Sequence, residues 1–166
     1  MKKIAIFNLL LLLSFTNLYA QASEKASINK ALNFWHKAAA EANFDNYFNL
    51  MTSDAIFIGT DATENWNVSE FKSFSKPYFD KGKAWDFKSV ERNVFLEEGD
   101  KIAWFDELLD THMGICRGSG VMKQVNGEWK VQHYVLSIAI PNDNVDEITK
   151  LKAQFDQDLL SELNKN

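Results

Sequence analysis

From residue 23 onward, apolar positions recur at intervals of three and four. Ile28, Leu32, Trp35 and Ala39 line one side, and Lys, Glu and Asn fill the other, which predicts an amphipathic helix. Asn43 breaks the run, and Phe44, Tyr47, Phe48 and Met51 form a second short stripe. Residues 54–59 read as a short buried strand. Asn67 and Glu70 stand at capping-box spacing and predict a third helix. Its buried face would be Phe71, Phe74 and Tyr78, and Pro77 would kink or shorten it. The Asn67-Val68-Ser69 triplet also has the form of a glycosylation sequon, but capping explains it without sugar.

After Gly82 the period changes from helical to alternating. Residues 84–95, 101–110, 115–124 and 128–140 read as strands, with a turn at Glu98-Gly99 and a hairpin at Asn126-Gly127. Pro141 ends the last strand. Residues 142–166 form a separate amphipathic helix with Val145, Ile148, Leu151, Phe155, Leu159 and Leu163 on one side. Helices first and a long antiparallel sheet afterwards is an α+β order.

A two-residue Asn126-Gly127 turn fixes a register. Val121 would face Gln132, Ser119 would face Tyr134, and Arg117 would face Leu136 on one side of the sheet. The other side would pair Met122 with Val131, Gly120 with His133, Gly118 with Val135 and Cys116 with Ser137. The first side gathers polar groups and reads as a cavity wall, and the glycine-lined second side reads as a contact face.

The amino terminus alters the accounting. Lys2 and Lys3 precede an apolar run over residues 4–15, and Tyr19-Ala20-Gln21-Ala22 supplies a small-residue exit, so residues 1–22 read as a signal peptide. Cleavage after Ala22 fits the pattern, and cleavage after Ala20 is the close alternative. The run is shorter than the roughly 20 residues of a spanning helix, so no membrane span is expected after cleavage. The expected destination is the periplasm or the medium. Without the two leader lysines, 16 basic residues face 23 acidic ones, a net charge of −7 that disfavours nucleic acid. Cys116 is the single cysteine, so no internal disulfide can form, and a buried apolar role is expected for it. Thirteen Phe and five Trp supply enough aromatic surface to build a core or line a pocket.

Four stretches carry a family resemblance. They are residues 57–66 (FIGTDATENW), 103–109 (AWFDELL), 117–121 (RGSGV) and 127–131 (GEWKV), the last followed by Ser137. Over about residues 27–141 the chain resembles the SnoaL-like branch of the nuclear transport factor two-like superfamily, which gives a division into leader 1–22, domain 23–141 and helix 142–166. The resemblance implies a cone of helices closed on a strongly curved antiparallel sheet, commonly a homodimer through the sheet's outer face. The superfamily includes ketosteroid isomerases, cyclases and dehydratases as well as binding and assembly domains. Isomerase chemistry needs a carboxylate base and two oxyanion donors. The corresponding positions here are Gly59, Trp35 and Ser119, so that activity is disfavoured.

The remaining chemistry is that of a pocket. Asp106 is placed inward on a Trp104-Asp106-Leu108 face, with Arg117 as its partner in a buried ion pair or a catalytic one. Arg117 suits an anionic group on a ligand, and Trp35, Trp104 and Tyr134 suit its apolar body. Ser119 and Gln132 complete the wall, and Tyr47, Trp66 and Tyr78 are further lining candidates. His36, His112 and His133 lie on different elements, and no metal set or Ser/His pair with substrate access is expected, His133 and Ser137 included. No glycine-rich phosphate loop is present, and no cofactor is implied. Three functions follow: a binder of a small, partly apolar and anionic molecule, a cofactor-free cyclase, isomerase or dehydratase using Asp106, or a dimeric interaction module.

Overall fold

The periodic stripe of the first helix decides where the chain turns inward. In the computed structural model, which describes residues 2–97 and 99–165 with side chains from Gln21 onward, α1 runs Lys2–Ala40. Ile28, Leu32, Trp35 and Ala39 are all buried, as their spacing requires. The backbone of the expected leader continues into α1, and its side chains up to Ala20 lie outside the described residues. Gln21 Nε2 donates to Leu96 O at 2.8 Å, and Trp129 Nε1 donates to Glu24 at 2.6 Å. These bonds anchor the helix to the sheet where the expected mature chain begins.

Asn43 caps α2, Phe44–Asn49, through Asn46 N–H, and Tyr47 and Phe48 are buried from it. β1 follows at Met51–Ile58, and a short β2 at Asn65–Asn67 was not anticipated. Asn67 and Glu70 make the expected capping box at the start of α3, Val68–Asp80. Pro77 lies inside this helix without ending it. The buried face is Phe71, Ser75 and Phe79, whereas Phe74 and Tyr78 are exposed. That stripe at i, i+4 and i+8 is rotated from the expected one, because Phe44, Tyr47 and Phe48 of α2 receive Phe71 and Phe79 edge-on or tilted.

The remaining strands are β3 Lys88–Phe95, β4 Ile102–Thr111, β5 Gly114–Val125 and β6 Glu128–Ile138. They form one sheet in the order β2-β1-β6-β5-β4-β3, antiparallel except where β1 pairs β6 in parallel. Helices α1, α2 and α3 pack on its concave side, an α+β cone with a mixed sheet. At the hairpin Asn126 and Gly127 both have positive φ (52° and 83°), and Val125 pairs Glu128. The two-residue turn is therefore as expected.

The register holds only to Met122–Val131, after which it slips by one. Val121 pairs His133, so Gln132 is an extra residue in β6, a β-bulge. β1 is irregular beside it, between Met51 and Ile56. Gln132 bridges the two defects, accepting from Thr52 Oγ1 at 3.1 Å and donating to Asp54 O at 3.3 Å. Beyond the bulge every partner changes: Tyr134 stands opposite Gly120, Leu136 opposite Gly118 and Ser137 opposite Arg117. On β5 the expected cavity wall and contact face thus exchange places, while on β6 Tyr134 and Leu136 face the core as expected. Cys116, Gly118 and Met122 face the core, while Arg117 turns outward. Gly118 is required there, since a Cβ would stand 2.2 Å from the Tyr134 hydroxyl.

Pro141 leads into a 3-10 turn, Asn142–Asn144, and α4, Val145–Leu163. The stripe on α4 is expected to cover the convex sheet face or a dimer seam; within the chain no residue of the helix is buried, and Leu151 is 76% exposed. An open cleft of about 510 Å³ separates Lys152, Phe155 and Asp156 from Val135, Ser137 and the end of β1.

Candidate functional site

β4 brings a carboxylate into the core. Its inward residues are Ala103, Phe105, Glu107 and Leu109, and Glu107 is 1% exposed. A charge so placed is tolerable only when neutralised and fully hydrogen-bonded. His36 Nε2 donates to Glu107 Oε1 at 2.8 Å, and Tyr134 OH donates to the same oxygen at 3.0 Å. Arg92 of β3 donates from Nε to the other oxygen at 2.8 Å, and its Nη2 lies 2.7 Å from the same oxygen in the ion pair without the alignment of a hydrogen bond. Asn33 Oδ1 and Asn29 O of α1 accept from Arg92 Nη1. Burial pushes the Glu107 carboxyl up, but the His36 bond and the Arg92 guanidinium outweigh it and hold it at about 2. Burial, reinforced by the Glu107 charge, raises the Tyr134 hydroxyl well above its usual range. This cluster ties α1, β3, β4 and β6 together. With both oxygens committed and its proton affinity so low, Glu107 is a poor general base.

Around it lies a stack of rings. Trp35 packs on Tyr47 with centroids 4.8 Å apart and meets Tyr134 edge-on at 4.9 Å. Phe57 stacks on Phe71 at 4.0 Å, and Phe71 stacks in turn on Trp66 and Trp85. Trp35 Nε1 and the Tyr47 hydroxyl are buried with no hydrogen-bond partner, and burial raises the Tyr47 hydroxyl too.

Above this stack the cone opens into a pocket of about 170 Å³. Phe57, Trp66, Phe71, Phe74, Trp85, Phe87, Met113 and Leu136 give it apolar walls, and Gly59, Thr60, Glu64 and His112 form its polar edge. An apolar cavity of about 150 Å³ holds one benzene ring, so this pocket accepts a ring-sized group and not a polycyclic body.

The structure separates the expected site residues. Trp35, Tyr47 and Tyr134 are in the interior, and Trp66 lines the pocket. Trp104, Asp106, Arg117 and Ser119 are on the outer face, not the cavity wall. Trp104 is 52% exposed and stacks on Phe95, and Asp106 accepts from Asn93 Nδ2 at 3.0 Å. Asp106 stands opposite Ser119 and Arg117 opposite Leu108, and no Asp106–Arg117 ion pair forms. Asp106 thus has no route to a substrate in the cone, and the expectation of an anionic ligand loses its cation. Gln132 serves the bulge, and Tyr78 is exposed on α3 beside Phe74. Glu107, Arg92, Glu64 and Trp85 were missed. One signal for Glu107 existed, its phase with Phe105 and Leu109, but Trp104 and Leu108 made the opposite phase look equally apolar.

Among the described residues, no His, Cys, Asp or Glu group has the geometry of a metal site, and no helix is long and apolar enough to cross a membrane. Cys116 is buried and unpaired.

Comparison with known proteins agrees with this architecture. An NTF2-like protein of unknown function from Pseudomonas putida superposes with a TM-score of 0.61 at 12% identity, covering 74% of this chain and 92% of its own. A candidate dehydratase of the NTF2-like family from Streptomyces avermitilis gives 0.63 at 11% identity, over 73% and 99% of the two chains. The association domain of C. elegans CaMKII gives 0.58 at 19%, over 70% and 97%. These likenesses establish the fold alone. No curated protein matches the sequence. The family model described as SnoaL-like domain matches residues 28–141, more than half of the chain, and the protein belongs to the SnoaL-like domain family.

Proposed function

We propose that this is an exported protein that binds a small, ring-sized, largely apolar molecule in the mouth of its cone. The carrying observation is the 170 Å³ pocket walled by Trp66, Phe71, Phe74 and Trp85. Ligand sites are concave, mostly apolar and edged by a few polar groups, which is the composition here. Binding fits better than turnover: Glu107 is fully engaged within the core, and Asp106 lies on the other side of the sheet. Calorimetric titration with phenol tests it. Saturable binding to the wild type, weakened severalfold in Trp66→Ala by loss of a stacking wall, supports the reading. The absence of any heat or saturation with phenol and comparable single-ring compounds would contradict it.

A homodimer through the outer face accompanies this reading. Phe95, Trp104 and Ile102 are exposed there, and no residue of α4 is buried, which leaves apolar surface for a second protomer to cover. Export rests on the leader pattern of residues 1–22, and the Glu24–Trp129 bond survives either cleavage.

A further inference from the structure

The chemical character of the pocket's rim goes beyond its size. Two ionisable groups line the pocket, Glu64 and His112, and neither lysine nor arginine does. Glu64 is held in place by its loop: Gly59 N–H donates to Glu64 O at 3.0 Å, Glu64 N–H donates to Asp61 O at 3.0 Å, and Glu64 Oε2 accepts from Asp61 N–H at 3.2 Å. The carboxylate lies directly over Gly59, where any Cβ would stand 2.1 Å from Oε2. A side chain at position 59 would displace it. Among the described residues Glu64 joins no ion pair, so its charge remains uncompensated at the edge of an aromatic cavity. The other carboxylate of the cone, Glu107, is neutralised within the core by Arg92.

We propose that the pocket selects a cation, an alkylated ammonium or protonated amine on a ring-sized body, with Glu64 as its counter-charge. Aromatic rings attract cations through their negative faces, and a nearby carboxylate adds a Coulombic term that grows as the ligand excludes water. The net negative charge of the chain favours approach of cations and opposes that of anions. The inference rests on the ring-sized pocket proposed above and reverses the sign of the ligand expected from Arg117.

The test compares phenyltrimethylammonium with its neutral isostere tert-butylbenzene by calorimetry, on the full chain and on Glu64→Gln. Glutamine keeps an oxygen for the Asp61 N–H and removes only the charge. The expected result is a loss of about tenfold for the ammonium in Glu64→Gln, with tert-butylbenzene unchanged within twofold. Raising KCl from 20 to 500 mM should also weaken the ammonium and not the hydrocarbon in the wild type, a readout independent of the variant's folding. Equal effects of the substitution and of salt on both probes, or benzoate binding as tightly as the ammonium, overturn the charge selection and leave the pocket standing. Binding of neither probe overturns the pocket as well.

Discussion

Replacing Glu107 with Gln tests the buried cluster at its centre. The carboxylate accepts from His36 and Tyr134 on one oxygen and pairs with Arg92 on the other. Glutamine keeps one acceptor but turns an amide N–H₂ toward donors, and it leaves the Arg92 guanidinium buried without its counter-charge. Breaking such a pair costs about 3–5 kcal/mol. The fall of the Glu107 carboxyl from an ordinary 4.5 to about 2 gives an independent figure of about 3 kcal/mol for its preference for the charged state. Because the folded value is depressed, this stability is present above about pH 4.5 and is lost as pH falls toward 2. Urea unfolding followed by tryptophan fluorescence, from pH 7 to pH 3, reads both effects. Glu107→Gln should be less stable by about 3–5 kcal/mol at pH 7, and its deficit should shrink as the wild type loses its own contribution in acid. A deficit below about 1 kcal/mol at pH 7, or one constant with pH, would refute the reasoning.

Other consequences follow from the same geometry. The Tyr47 and Tyr134 hydroxyls are both raised by burial, so the stability they contribute is present below about pH 10 and lost above it. Absorbance at 295 nm should show two phenols that ionise only as the protein unfolds in alkali. Gly118→Ala should cost about 1–3 kcal/mol in urea unfolding, because its methyl group would displace the Tyr134 hydroxyl from Glu107. Truncation after Pro141 removes a helix with no buried residue, so monomer stability should change by less than about 1 kcal/mol, while sedimentation should show weaker self-association.

Local rules made much of this fold legible. The α1 stripe, the Asn67–Glu70 capping box and the Asn126-Gly127 turn each depend on neighbours three or four residues away or fewer, and each formed as read. The Gln132 bulge does not depend on local sequence. It answers an irregularity in β1 some 80 residues earlier, through the Thr52 and Asp54 bonds. One inserted residue put Tyr134 on the face of Gly118 and Gly120 instead of that of Arg117 and Ser119, which is why the β5 half of the candidate wall was placed on the wrong side. On β4 both phases were rich in apolar residues, so the choice between Asp106 and Glu107 required the partners His36, 71 residues away, and Arg92, 15 residues away on the neighbouring strand. Gly118 looked like a flat contact face, but its missing side chain makes room for Tyr134 inside the cone.

The central claim is that the mouth of the cone, and not the outer sheet face, receives the ligand. Titration of ¹⁵N-labelled protein with phenol, read as residue-by-residue backbone amide and tryptophan side-chain N–H shifts, tests it most directly. The account predicts saturable shifts concentrated at Gly59, Glu64, Trp66, Trp85, His112 and Met113, the residues around the pocket. Shifts concentrated instead at Trp104, Arg117 and Ser119 would contradict it and return the site to the opposite face of the sheet.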